Sequence, residues 1–162
     1  MVERVGEKEV SIGGTDFRLC AYADRSSGAV HLALAKGDIR ADAETLVRVH
    51  EPISVLDFLD AKSGRHSFSI EQATRALAKH GTGVIVMLHR PETGEDLLAG
   101  FADVPAGNRP AAKWDPRSFG IGAQILRDLG VGKMRLLSSP RKLPSMAGFG
   151  LEVCGYQSPE EA

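Results

Sequence analysis

Apolar residues recur along this chain with two periods, and each change of period marks an element. Phe17, Leu19 and Ala21 alternate with Arg18, Cys20 and Tyr22, and Val30 to Leu34 continues the pattern after Asp24-Arg25-Ser26-Ser27-Gly28. Period two on both sides of a polar turn predicts a β-hairpin with a loop of about five residues. Before it, Val2, Val5 and Val10 predict an edge strand broken at Gly13-Gly14; after it, Lys36-Gly37-Asp38 is a turn and Thr45 to His50 a third strand. Periodicity is poor from Glu51 to Phe68, where Val55, Leu56, Phe58 and Leu59 suit one or two helical turns.

The helical period begins at Ser69. Ser69 with Gln72 forms a capping box, Ile70, Ala73, Ala76 and Leu77 form an apolar stripe, and Gly81 ends the helix. Val84 to Leu88 is a continuous apolar run, as in a strand buried on both faces of a parallel sheet. Pro91 to Ala112 reads as loop with a short helical turn at Glu95 to Leu98, a length that is uncommon unless functional, mobile or a remnant. Then Ser118 caps, and Ile121, Ile125, Leu126 and Leu129 predict, a helix over Phe119 to Leu129 that Gly130 stops. Lys133 to Leu137 predicts a strand, Ser138 to Lys142 a turn, Leu143 to Ala147 a short helix and Leu151 to Cys154 a last strand. Helix, strand, helix, strand at this spacing means parallel pairing through right-handed crossovers, hence an α/β domain.

The 162 residues suit one domain that buries roughly two-thirds of its unfolded surface. Twenty basic and 21 acidic residues give a net charge of -1 with neither sign in a long block, which argues against non-specific nucleic-acid binding. No signal-peptide core and no apolar run near membrane-spanning length is present, so a cytoplasmic protein is expected. Cys20 and Cys154 read as two buried thiols rather than a disulfide. Gly81-Thr82-Gly83 and Gly120-Ile121-Gly122 lack the lysine and strand-to-helix setting of a phosphate loop, and Met87, Met134 and Met146 read as core. Trp114, the one tryptophan, reads as a packing residue.

From Ser118 the chain runs SFGIGAQILRDLGVGKMRLLSSPRK, which closely resembles the closing segment of the GTP cyclohydrolase II family. Ala33 to Ile39 and Leu46 to His50 resemble two further blocks of that family, in the same order. The resemblance implies a three-layer fold, a mixed sheet with helices on both faces. It also implies a homodimer, and a reaction that opens the imidazole ring of GTP with a zinc-bound water held among three cysteines. Here the first of those cysteines falls on or near Ile53, the pair falls within Lys62 to Phe68, and no cysteine lies between Cys20 and Cys154. The zinc site is therefore expected to be lost, and no cofactor is expected. His50, His66 and His89 with Asp57 or Asp60 carry suitable atoms, but neither helical nor strand spacing unites them. The family's nucleotide-contacting segment after the buried strand is rewritten as Arg90 to Leu97, with only Glu92 in register.

Other parts persist. Asp115 and Arg117 match the family's proposed proton acceptor and its nucleophile or phosphate partner, Arg48 matches a triphosphate contact, and Ser138 and Lys142 fall at the phosphate-binding turn. An arginine fork, a hydroxyl and a lysine near a helix N-terminus can hold an anion without metal. Asp115 and Arg117 equally suit capping and positioning of the helix start. The expectation is a catalytically impaired domain, whole over residues 1–162 or excised from a longer fusion with a 3,4-dihydroxy-2-butanone 4-phosphate synthase half. It would stabilise that half, regulate it or sense GTP or another phosphorylated ligand. The alternative is a hydrolase of a phosphorylated purine that works without metal, with Arg117 as clamp and Asp115 as base.

Overall fold

A computed structural model of the chain describes residues 2–51, 54–59, 68–89, 91–101, 116–138 and 147–158. Its strands are β1 (Val2–Ile12), β2 (Thr15–Asp24), β3 (Val30–Lys36), β4 (Glu44–His50), β5 (Gly83–Met87), β6 (Lys133–Leu137) and β7 (Glu152–Gln157). Its helices are α1 (Leu56–Leu59), α2 (Ile70–His80), α3 (Gly94–Phe101) and α4 (Pro116–Asp128), with one 3-10 turn at Ala147–Phe149. The seven strands form one sheet in the order β1-β2-β3-β5-β4-β6-β7. The β1-β2-β3-β5 part is antiparallel, and β5-β4-β6-β7 is parallel.

Helices on both faces complete three layers. α2 lays Ile70, Ala73, Ala76 and Leu77 on Phe17, Leu34, Leu46, Ile85 and Met87. α4 lays Ala123, Ile125 and Leu126 on Tyr22, Ala33, Val47, Val84 and Val86. All five residues of β5 are buried, because both of its faces are covered. The capping box forms as the sequence predicts: the Ser69 hydroxyl accepts the Gln72 N–H at 3.0 Å and the Gln72 side chain accepts the Ser69 N–H at 2.9 Å. No helix among the described residues is long and apolar enough to cross a membrane.

Four expectations change. Gly13 and Gly14, with φ of 59° and 80°, do not break the first strand but turn it into β2 as a two-residue hairpin. Positive φ at both positions matches the strands' right-handed twist. α4 begins at Pro116, before the expected Phe119, because proline is preorganised for the first helical position and its missing N–H goes unused there. Ser118 is thus inside the first turn rather than its cap. The helical turn expected at Glu95 to Leu98 is part of the longer, two-turn helix α3, whose full length no buried stripe marks because none of its residues is buried. Cys154 is exposed on β7, not buried, because that strand closes the sheet with one edge open. The predicted short helix at Leu143 lies outside the described residues, except for Ala147 in the 3-10 turn.

β1 lies along the sheet edge, largely exposed, where it is paired to β2 along its length and tied to α4 by a few side chains. The Val2 N–H donates to Gln124 Oε1 at 2.9 Å. Arg4 donates through Nε and Nη2 to Asp128 Oδ2 at 2.8 and 2.6 Å, and buried Tyr22 donates its hydroxyl to the same oxygen at 2.7 Å. Burial alone would push the Asp128 carboxyl up, but the hydrogen bonds from Tyr22 and Arg4 outweigh it and hold it below the ordinary value. Burial, together with the Asp128 bond, pushes the Tyr22 hydroxyl up.

Two predictions follow from this packing. A Cβ at Gly83 would sit 2.6 Å from Leu77 Cγ and 2.9 Å from the Leu46 carbonyl, so Gly83→Ala should cost about 1–3 kcal/mol in urea unfolding. Tyr22→Phe should cost about 1–2 kcal/mol at neutral pH, since a bond to a charged acceptor is lost. A raised tyrosine pKa stabilises fully below its unfolded value near 10 and is lost as pH rises through the folded value. The variant should therefore lose less stability than the parent between neutral and strongly alkaline pH, as read by unfolding at a series of pH values.

Candidate functional site

The parallel strands β4, β5 and β6 end on one rim, at His50, Met87 and Leu137. In open α/β sheets, ligands bind outside the carboxyl ends of such strands. The Leu88 N–H donates to the His50 carbonyl at 3.0 Å and prolongs the β4–β5 ladder into the rim. Directly after β4, Glu51 Oε1 accepts the Ser118 hydroxyl at 2.5 Å, which fastens the first turn of α4 to the same rim. A helix N-terminus there contributes unsatisfied N–H groups and partial positive charge.

Arg48 does not stand free beside this rim. It is 4% exposed on the α2 face, its Nη1 donates to the Leu137 carbonyl at 3.1 Å, and its guanidinium lies 5.9 Å from the Phe68 ring centroid. It ties the end of β4 to the end of β6, and Ser138, half-buried, is the next residue along that chain. The structure therefore brings two predicted residues, Arg48 and Ser138, to one spot. Arg117 lies in the first turn of α4, the turn fastened to Glu51. Asp115 and Lys142 lie outside the described residues, as do Trp114, His66, Asp60 and Ile53.

Sequence reasoning missed His31, Glu51 and Ser118 in its role at the rim. His31 is buried in β3, and its Nδ1 accepts the N–H of His89, the second residue past β5, at 3.0 Å. Burial, the largest influence, pushes its pKa down, so the ring is neutral at physiological pH. The one available signal was its place in the alternation of β3, in phase with Ala33 and Ala35. At the end of β2, the Ser26 hydroxyl and N–H and the Ser27 hydroxyl bind both Asp24 oxygens and hold its carboxyl down to about 2. His89 and Glu92 are exposed beyond β5.

The donor set does not fit the three-thiolate zinc site of the resembling family. The chain has two cysteines, and four strands of the sheet separate Cys20 on β2 from Cys154 on β7. At a strand spacing near 4.8 Å, that is about 24 Å. Among the described residues, no group of three or more His, Cys, Asp or Glu side chains is placed to hold a metal ion.

A family model described as GTP cyclohydrolase II matches residues 3–158. A 3,4-dihydroxy-2-butanone 4-phosphate synthase of Neisseria meningitidis serogroup B is 45% identical over 161 residues, which are 99% of this chain and 44% of that protein. Riboflavin biosynthesis protein RibBA of Chlorobium phaeovibrioides is 35% identical over 164 residues, covering 94% of this chain and 40% of that protein. Among solved structures, RibBX, a two-domain 3,4-dihydroxy-2-butanone 4-phosphate synthase from A. baumannii, superposes with a TM-score of 0.61 at 32% identity, over 97% of this chain and 40% of that one. The chain thus spans less than half the length of these relatives.

The position of Arg48 yields a prediction that separates architecture from ligand binding. Arg48→Met should cost roughly 2 kcal/mol of folding stability with no ligand present, because a buried carbonyl loses a charged donor. Urea unfolding of the unliganded chain measures it; an arginine held only for a ligand would leave the midpoint unchanged.

Proposed function

The chain belongs to the GTP cyclohydrolase II family, and from that premise we propose that it is a catalytically impaired member serving a riboflavin-biosynthesis protein. Its role is regulatory, stabilising or nucleotide-sensing toward a 3,4-dihydroxy-2-butanone 4-phosphate synthase half joined in cis. The observation that carries the reading is the cysteine arrangement: two thiols with four strands between them, in place of three that converge on a metal. A zinc-bound hydroxide supplies several kcal/mol toward attack on a carbon, and at 1.36 kcal/mol per factor of ten its loss slows that attack by orders of magnitude. The names of the relatives support the same reading, since the Neisseria and A. baumannii proteins contain this region yet are named for the synthase alone.

What persists is the means to hold an anion. The α4 N-terminus with Arg117, the β6 end with Ser138, and Lys142 four residues further along the sequence supply N–H groups, a hydroxyl and two cations for a phosphate. Arg48 contributes from beneath, by fixing the β6 end against β4. GTP or another phosphorylated compound is the ligand, bound without zinc, and the domain works as a homodimer in the cytoplasm.

The test is a thermal-shift titration with GTP, GMP and pyrophosphate, with and without zinc, with metal content and formate release assayed in parallel. Binding confined to the folded state raises the melting temperature. The expected result is a zinc-independent shift that Arg117→Ala abolishes while the unliganded variant melts as the parent does. Stoichiometric zinc with formate released from GTP would overturn the reading, and formate release without zinc would replace it with metal-free hydrolysis.

A further inference from the structure

His31 is the buried polar group that the rim has so far left unexplained. It is 4% exposed, opposite Tyr22 in the β2–β3 ladder, on the sheet face that α4 covers. Because Nδ1 accepts the His89 N–H, that nitrogen keeps its lone pair and the proton sits on Nε2. Nε2 is buried and has no hydrogen-bond partner among the described residues. A buried donor without an acceptor is costly to keep, and the nearby groups are committed elsewhere. Asp24 already accepts three hydrogen bonds from Ser26 and Ser27, the Tyr22 hydroxyl donates to Asp128, and the His89 side chain is exposed. Among the described residues, therefore, none supplies an acceptor to His31 Nε2 where the chain leaves β5.

We propose that His31 is a ligand-binding residue of this rim, which donates its Nε2–H to an oxygen of the phosphorylated ligand while its Nδ1 holds the chain leaving β5. This rests on the reading that the rim binds such a ligand. It assigns the rim a neutral donor, which adds directional selection for an oxygen to the partial positive charge of the α4 N-terminus. It also couples occupancy to the course of His89 to Glu92, since one ring touches both.

The experiment measures binding of GTP, GMP and pyrophosphate to the 162-residue chain and to its His31→Leu and His31→Gln variants. Leu should weaken GTP binding about tenfold. Gln retains an acceptor for the His89 N–H and an amide donor, and should restore affinity to within about threefold. In the ¹⁵N spectrum of the parent's histidines, the Nε2–H resonance of His31 should move when GTP is added. Weakening of pyrophosphate as well assigns the acceptor to a phosphate; weakening confined to GTP and GMP assigns it to base or ribose. GTP affinity unchanged in His31→Leu overturns this inference and leaves the nucleotide reading intact, whereas a parent that binds none of the three overturns both. If the Leu variant does not fold, an Nε2 resonance unmoved in GTP-saturated parent overturns it alone.

Discussion

β5 is the strand on which the rest depends. Its backbone pairs antiparallel with β3 on one side and parallel with β4 on the other, so it joins the hairpin half of the sheet to the crossover half. A parallel pair cannot be closed by a tight turn, and the connection must cross a face of the sheet. α2 makes that crossing, and its stripe then buries Ile85 and Met87 while α4 buries Val84 and Val86. Because β4 pairs in parallel with β5 on one side and with β6 on the other, β4, β5 and β6 end on the same side. The chain leaves all three there, and the rim exists because of it.

A second constraint acts at the edge. β1 has few buried side chains and is held by its backbone ladder to β2, and its link to the helix layer is made by Arg4 to Asp128 at the end of α4 and by the Val2 N–H to Gln124. The Arg4–Asp128 pair is partly exposed, with side chains 34% and 47% accessible, so its charge attraction is screened and modest. The Tyr22 hydroxyl is the stronger member, because its ring is buried and its donor has no access to water. The first turn of the same helix is tied to Glu51. α4 is therefore anchored at one end to β1 and at the other to the rim.

Much of this was legible from residues taken singly or in short windows. The Ser69–Gln72 box, Gly81 and the apolar run after it located α2 and β5, because capping and strand burial depend on neighbours in sequence. The five-residue loop between β2 and β3 was equally plain. What failed did so for identifiable reasons. Gly13-Gly14 is ambiguous between a break and a hairpin until a partner strand is known, and Pro116 is ambiguous between the residue before a helix and its first turn. α3 extends beyond the expected turn at Glu95 to Leu98, and with no buried residues it has no period to mark its ends. Arg48 matches a ligand contact in the resembling family, and its hydrogen bond to the Leu137 carbonyl, 89 residues away, is one that no local window shows.

The sequence by itself determined the alternation of strands and helices, the blocks that mark the family, and the absence of a third thiol. Each is a property of composition or of spacing within a helical turn or a strand. The tertiary structure alone decided which polar groups meet: Glu51 with Ser118, Arg48 with the end of β6, His31 with the first turn of chain beyond β5. Those pairs are set by strand order and by the side of the sheet each helix crosses. Nothing in a local window encodes either, because both follow from burying two faces of one sheet at once.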